Sequence, residues 1–185
     1  MKVRKIVKWL SPACIACAAW PPLAAGEGLP VTEDARAFWR ECAQGLGAPA
    51  GGPLRARRMG STPETIELLL GLVLAREKTI TSTSPWLYDD GLQAAPMAGD
   101  IWVMMDSAGK PAAVLRTTSV KVMPMDQVTE EDSRHEGPAA RPIEAWRRVH
   151  WNFFTRVLAP LGKVPAPDMP VTLEYFEVLC PPPAS

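Results

Sequence analysis

The chain has 185 residues, 47% of them hydrophobic and 22% charged, which suits one globular domain with a real core and excludes a wholly disordered chain. Its formal charge is zero, but Lys2, Arg4, Lys5 and Lys8 fall in an N-terminal segment with no acid, so the remainder carries 16 basic against 20 acidic residues. That balance excludes the broad basic surface of sequence-blind duplex DNA binding, and no apolar run reaches the ~18 residues of a membrane-spanning helix.

Residues 1–25 follow the plan of a secretory signal: a basic start, the small apolar stretch Trp9–Trp20, and an exit at Leu23-Ala24-Ala25-Gly26. A periplasmic or secreted protein is expected, with a cytoplasmic one as the alternative and no stable membrane anchor. Cys14 and Cys17 would leave with the signal, so their C-x-x-C spacing carries no redox or zinc motif. Cys42 and Cys180 remain, and either a bridge in an oxidising compartment or two buried thiols fits.

Thr32–Leu46 reads as a helix, with Thr32 as its cap and Ala35, Phe38, Trp39 and Cys42 at helical spacing. The glycines from Gly45 to Gly52 open a loop. Arg55, Arg57 and Arg58 then make a basic patch. Thr62-Pro63-Glu64 starts a second helix with a capping hydroxyl, proline at the first position and an early acid. Lys78–Ser84 alternates and reads as a strand, as do Ile101–Met105 and Ala113–Met123, the latter with a bend. Thr129–His135 is a short capped helix. Pro142 to about Leu158 is a long one, with Ile143, Trp146, Val149, Phe153 and Val157 on its seam. Val171–Leu179 is the last strand, and Pro181-Pro182-Pro183 lies in a tail. This inventory predicts an α+β fold with a small sheet or barrel. The expected divisions are a signal (1–25), an N-terminal helix and loop (26–59), a core (60–180) and a proline-rich tail (181–185).

Several pieces, in order, resemble the ASCH family: Gly60-Ser61-Thr62-Pro63-Glu64, Lys78-Thr79-Ile80-Thr81, Ala98-Gly99-Asp100, Arg116-Thr117-Thr118-Ser119-Val120, Thr129-Glu130-Glu131 through His135-Glu136-Gly137, and Trp146-Arg147 through His150-Trp151-Asn152-Phe153-Phe154. The order is similar to that of the longer bacterial subgroup. The resemblance implies a PUA-like small β-barrel with flanking helices. It departs from the family at Arg76, where glycine is usual two residues before the lysine.

Family amidohydrolases that remove acetyl from N4-acetylcytidine use a lysine, a threonine three residues later and a downstream glutamate. The resemblance therefore implies Lys78, Thr81 and Glu136 as catalytic candidates, for base, nucleophile and assisting carboxylate. A lysine serves as base only after losing a proton, and a threonine hydroxyl needs such a base. Residues three apart on a strand face opposite sides, so a shared pocket for Lys78 and Thr81 requires a bulge or the strand's very start.

Trp86, Arg147, Arg148 and His150 are candidate ligand-binding residues. The tryptophan could stack on a base or plug the barrel end, and the arginines could meet phosphate or water. No metal site and no cofactor are expected. The implied function is hydrolysis of an N-acylated pyrimidine nucleoside. The alternatives are a non-catalytic module for RNA or a nucleotide, such as a short single strand, and a ribonuclease.

Overall fold

The computed structural model describes residues 28–89 and 94–180. The expected signal at 1–25, with Cys14 and Cys17, and the proline tail lie outside the described residues.

Helix α1 (Glu33–Gly45) starts where the Thr32 hydroxyl accepts from the Ala35 amide at 3.2 Å. Strand β1 (Leu54–Arg57) follows, then α2 (Pro63–Leu74), capped by a reciprocal Thr62–Thr65 pair. Gly60, at φ 97°, makes the turn into α2; a Cβ there would lie 2.9 Å from the Ile66 nitrogen, so only glycine passes. Strand β2 (Ile80–Thr83), the short α3 (Pro85–Asp89), β3 (Ile101–Met105) and the long β4 (Pro111–Pro124) come next. The chain ends with α4 (Glu130–Ser133), α5 (Ile143–Leu158) and β5 (Pro170–Cys180).

Sequence reading missed β1 and α3. Leu-Arg-Ala-Arg has little strand propensity, and tertiary pairing makes it one: it runs parallel to β3, with Arg57 opposite Met104, and the Leu29 amide donates to the Ala56 carbonyl on its other side.

The five strands form one sheet in the order β1-β3-β4-β5-β2, antiparallel except for β1 with β3. Strand alternation sends Trp102 and Met104 to α2 and Val103 and Met105 to α1, so this half is covered on both faces. The other half, Ile80 with Val171 and Leu173, packs on Trp146, Phe154, Val157 and Leu158 of α5. The expected bend in β4 is present as a register shift between Thr117 and Ser119, where the sheet turns from one half to the other.

The PUA-like α+β expectation holds, with one correction to its shape. The ladder curls but does not close, because β1 and β2 do not pair. Leu29 occupies the free edge of β1, and Arg57 spans the gap with a side chain, donating to both carboxylate oxygens of Glu174 at 2.9 and 2.7 Å. Cys42 and Cys180 are bonded as a disulfide that fastens α1 to the end of β5. Among the described residues, no helix is long and apolar enough to cross a membrane.

Candidate active site

A cavity of about 360 Å³ opens beside the unpaired edge of β2, between α2 and α5. Three local structures build its polar end. Helix α2 stops at Ala75, and Arg76 takes the left-handed conformation at φ 59° that glycine normally fills. The Glu77 and Lys78 amides then both donate to the Leu72 carbonyl, which swings Lys78 inward. The capping box of Thr129 and Asp132 starts α4, and the turn after it delivers Glu136, whose amide donates to the Ser133 carbonyl at 2.9 Å. Arg141 ties the two arms together: its guanidinium donates to the carbonyls of Glu136 and Glu77, each at 2.9 Å. Gly137 keeps the wall thin, since a Cβ there would lie 2.6 Å from Leu72 Cδ1.

The Lys78 amine donates to Glu136 Oε2, and both side chains are more than nine-tenths buried. The second carboxylate oxygen, Oε1, has no hydrogen-bond partner and lies 3.5 Å from His150 Nε2. His150 Nδ1 is 2.9 Å from the Trp146 carbonyl, which only accepts, so Nδ1 carries the ring proton. Burial lowers the imidazole's affinity for a second proton, against the opposing pull of Glu136 and of the Trp146 carbonyl. The neutral ring thus turns a bare Nε2 toward a bare carboxylate oxygen. Two acceptors facing each other are a ready partner for a donor from a ligand.

A second polar group lies across β2. Glu174, fully buried, accepts from both arms of Arg57 and from the Thr117 hydroxyl at 2.6 Å. The Arg57 guanidinium covers the Trp102 ring at 4.6 Å. Thr81 pairs with Glu174 in the ladder, so its side chain is on this side of the sheet. Arg58 Nε, Ser82 Oγ and Trp102 Nε1 are buried at the cavity without partners, while the Thr83 hydroxyl lies against Tyr88. Buried polar atoms of this kind are normally bonded, and four in one cavity, counting Glu136 Oε1, mark a place built for a polar guest.

The structure therefore brings Lys78, Thr81, Glu136 and His150 to one cavity. It leaves three ligand-binding candidates elsewhere. Trp86 packs on the core under α5, with the Lys163 amine 5.4 Å from its ring. Arg147 pairs with Glu144 and reaches the Asp126 carbonyl, while Arg148 is exposed and away from the cavity. The seam of α5 explains the last two: Trp146, His150, Phe154 and Val157 are its buried face, which turns Arg148 to water. Arg57, Ser82, Thr83, Trp102, Phe153 and Arg141 were not singled out for this site by the sequence. Arg57 alone left a trace, as one of three arginines read as a basic patch.

Solved structures share this fold. An ASCH domain from Lactobacillus crispatus JV V101 superposes with a TM-score of 0.74 at 24% identity, over 80% of this chain and 95% of that one. A protein from Enterococcus faecalis V583 does so with a TM-score of 0.71 at 29% identity, over 79% of this chain and 88% of that one. No curated protein matches the sequence. The family model for the ASCH domain matches residues 56–180. The chain belongs to the ASCH domain family, a PUA-like fold family of RNA-binding type.

Proposed function

We propose that the cavity receives the N-acylated exocyclic amine of a pyrimidine nucleoside and hydrolyses its amide. The observation that carries this reading is the convergence, in one cavity, of the buried Lys78–Glu136 pair with a bare carboxylate oxygen and the hydroxyls of β2. The amide N–H suits the acceptor pair of Glu136 Oε1 and His150 Nε2. The acyl carbonyl suits the donors of Lys78 and the β2 edge. A β2 hydroxyl attacks the acyl carbon, and the Lys78–Glu136 pair moves its proton to the departing amine. Leu68, Leu69, Leu72, Val149 and Phe153 form the apolar remainder of the wall.

Incubation of purified protein with N4-acetylcytidine, measuring acetate, tests the proposal. Release by the wild type that is lost in Lys78→Ala supports it, and no release by wild type retires it. A second reading, a non-catalytic RNA or nucleotide module, draws on Arg57, Arg58 and Arg156 around the same cavity. Titration with short single-stranded RNA at stated salt, with acetate release absent, would favour it. Export remains part of the proposal. The Cys42–Cys180 bridge supports it, because such bonds persist in oxidising compartments. Fractionation with N-terminal sequencing of the mature chain tests that point.

A further inference from the structure

We infer that Ser82, and not Thr81, supplies the attacking hydroxyl in this cavity; the inference rests on the hydrolase reading above. The reason lies in the pleat of β2. Ile80 faces the α5 side of the sheet, where it packs with Trp146 and Phe154. Alternate residues share a face, so Ser82 points to the side of α5, and α5 is the helix that carries His150. Thr81 points the other way, opposite Glu174, whose carboxylate is spent on Arg57 and Thr117. Glu136, paired with Lys78 and facing His150, belongs to the Ser82 side. Strand β2 is the edge of the sheet, so its rim brings both sides into one cavity while keeping the two hydroxyls apart.

Ser82 is also the more deeply buried of the two hydroxyl residues, Thr81 being half-buried. Its Oγ is buried and has no partner. Its backbone adds a second tool. The Phe176 amide donates to the Thr79 carbonyl, which sets the phase of the ladder with β5, although the Thr79 amide itself donates to the His135 carbonyl. In an antiparallel ladder bonded residues recur every second position, so Thr81 and Thr83 spend their main-chain groups on β5. Ser82 turns its N–H to the open edge. One residue thus offers a nucleophile and a donor for the oxyanion formed by its own attack.

The chemistry closes. The Ser82 Oγ–acyl carbon bond forms and the amide C–N bond breaks. The hydroxyl proton passes through Glu136 Oε1 to the leaving exocyclic amine. Water then attacks the serine ester, acetate leaves, and Oγ regains a proton.

The test compares Ser82→Ala, Thr81→Val and wild type for acetate release from N4-acetylcytidine, with thermal melts to verify folding and peptide mass spectrometry of acid-quenched early turnover. The expected result is a loss of about 10³-fold or more in Ser82→Ala and less than about tenfold in Thr81→Val. The trapped acetyl ester is expected on the peptide at Ser82. Ser82→Ala activity within tenfold of wild type, or an ester mapped to Thr81, overturns the assignment while sparing the hydrolase reading. A wild type that releases no acetate overturns both.

Discussion

Removing the Lys78 amine is the perturbation whose cost follows most directly from the geometry. Lys78 and Glu136 are 5% and 3% exposed, and 58 residues of chain separate them. Lys78→Met keeps the aliphatic stem but leaves the Glu136 carboxylate buried with no cation. Breaking such a pair from one side costs roughly 3–5 kcal/mol, because the surviving charge has neither solvent nor partner. For a chain of this size that is about 6–20 °C in Tm, at about 2–4 °C per kcal/mol. The double variant Lys78→Met, Glu136→Gln carries no stranded charge and recovers more than half of the loss. Urea unfolding of wild type, both singles and the double gives the coupling as a cycle. Acetate release, where wild type shows it, stays lost in all three variants, so stability and activity part company in the double. A Lys78→Met variant within about 1 kcal/mol of wild type, or singles that simply add, refutes the reasoning, since a dry, mutually dependent pair predicts neither.

Three further outcomes follow from the same structure. The Cys42–Cys180 bond spans 138 residues, so removing it as Cys42→Ser, Cys180→Ser costs up to about 5 kcal/mol by loop entropy; denaturation with and without reductant checks this, and identical midpoints would contradict it. Arg76→Gly relieves a left-handed residue and raises stability by about 0.5–1 kcal/mol, once the freer unfolded glycine is counted, as a thermal melt would show. Acidification lowers stability in two windows. His150, lowered by burial, disfavours protonation in the fold, so stability present above its ordinary 6.5 falls as pH drops below it. Burial raises the Asp132 carboxyl, but hydrogen bonds from Lys121, Tyr175 and Thr129 outweigh that and hold it below its ordinary 3.8, so its contribution is lost below about pH 4. Melts from pH 8 to 3 should therefore lose the upper slope in His150→Asn and the lower one in Asp132→Asn.

The elements that the sequence made legible are those with their own local signals. Thr32 and Thr62 cap helices one residue away, and β3 runs over Ile101–Met105 as its apolar run suggests. Strand β1 was hidden because its stability comes from Met104 and its neighbours, nearly fifty residues on. The site divides the same way. Lys78 and Glu136 were reachable only through ordered family motifs, since nothing local says that two charges 58 residues apart meet. Arg57 reads as a solvated arginine until Glu174, 117 residues later, is opposite it. Arg141 acts through two carbonyls, a role with no residue-type signature. Arg147 and Arg148 looked attractive as a basic run, but helical phase points them away from the cavity that His150, two residues on, helps to line.

The most direct test of the hydrolase reading is a crystal structure of the Ser82→Ala variant soaked with N4-acetylcytidine. The prediction is a nucleoside in the cavity beside β2, its amide N–H donating to Glu136 Oε1 alongside His150 Nε2 and its acyl carbonyl toward Lys78. An empty cavity at saturating nucleoside, or a base seated instead on the Arg147–Arg148 face of α5, contradicts it.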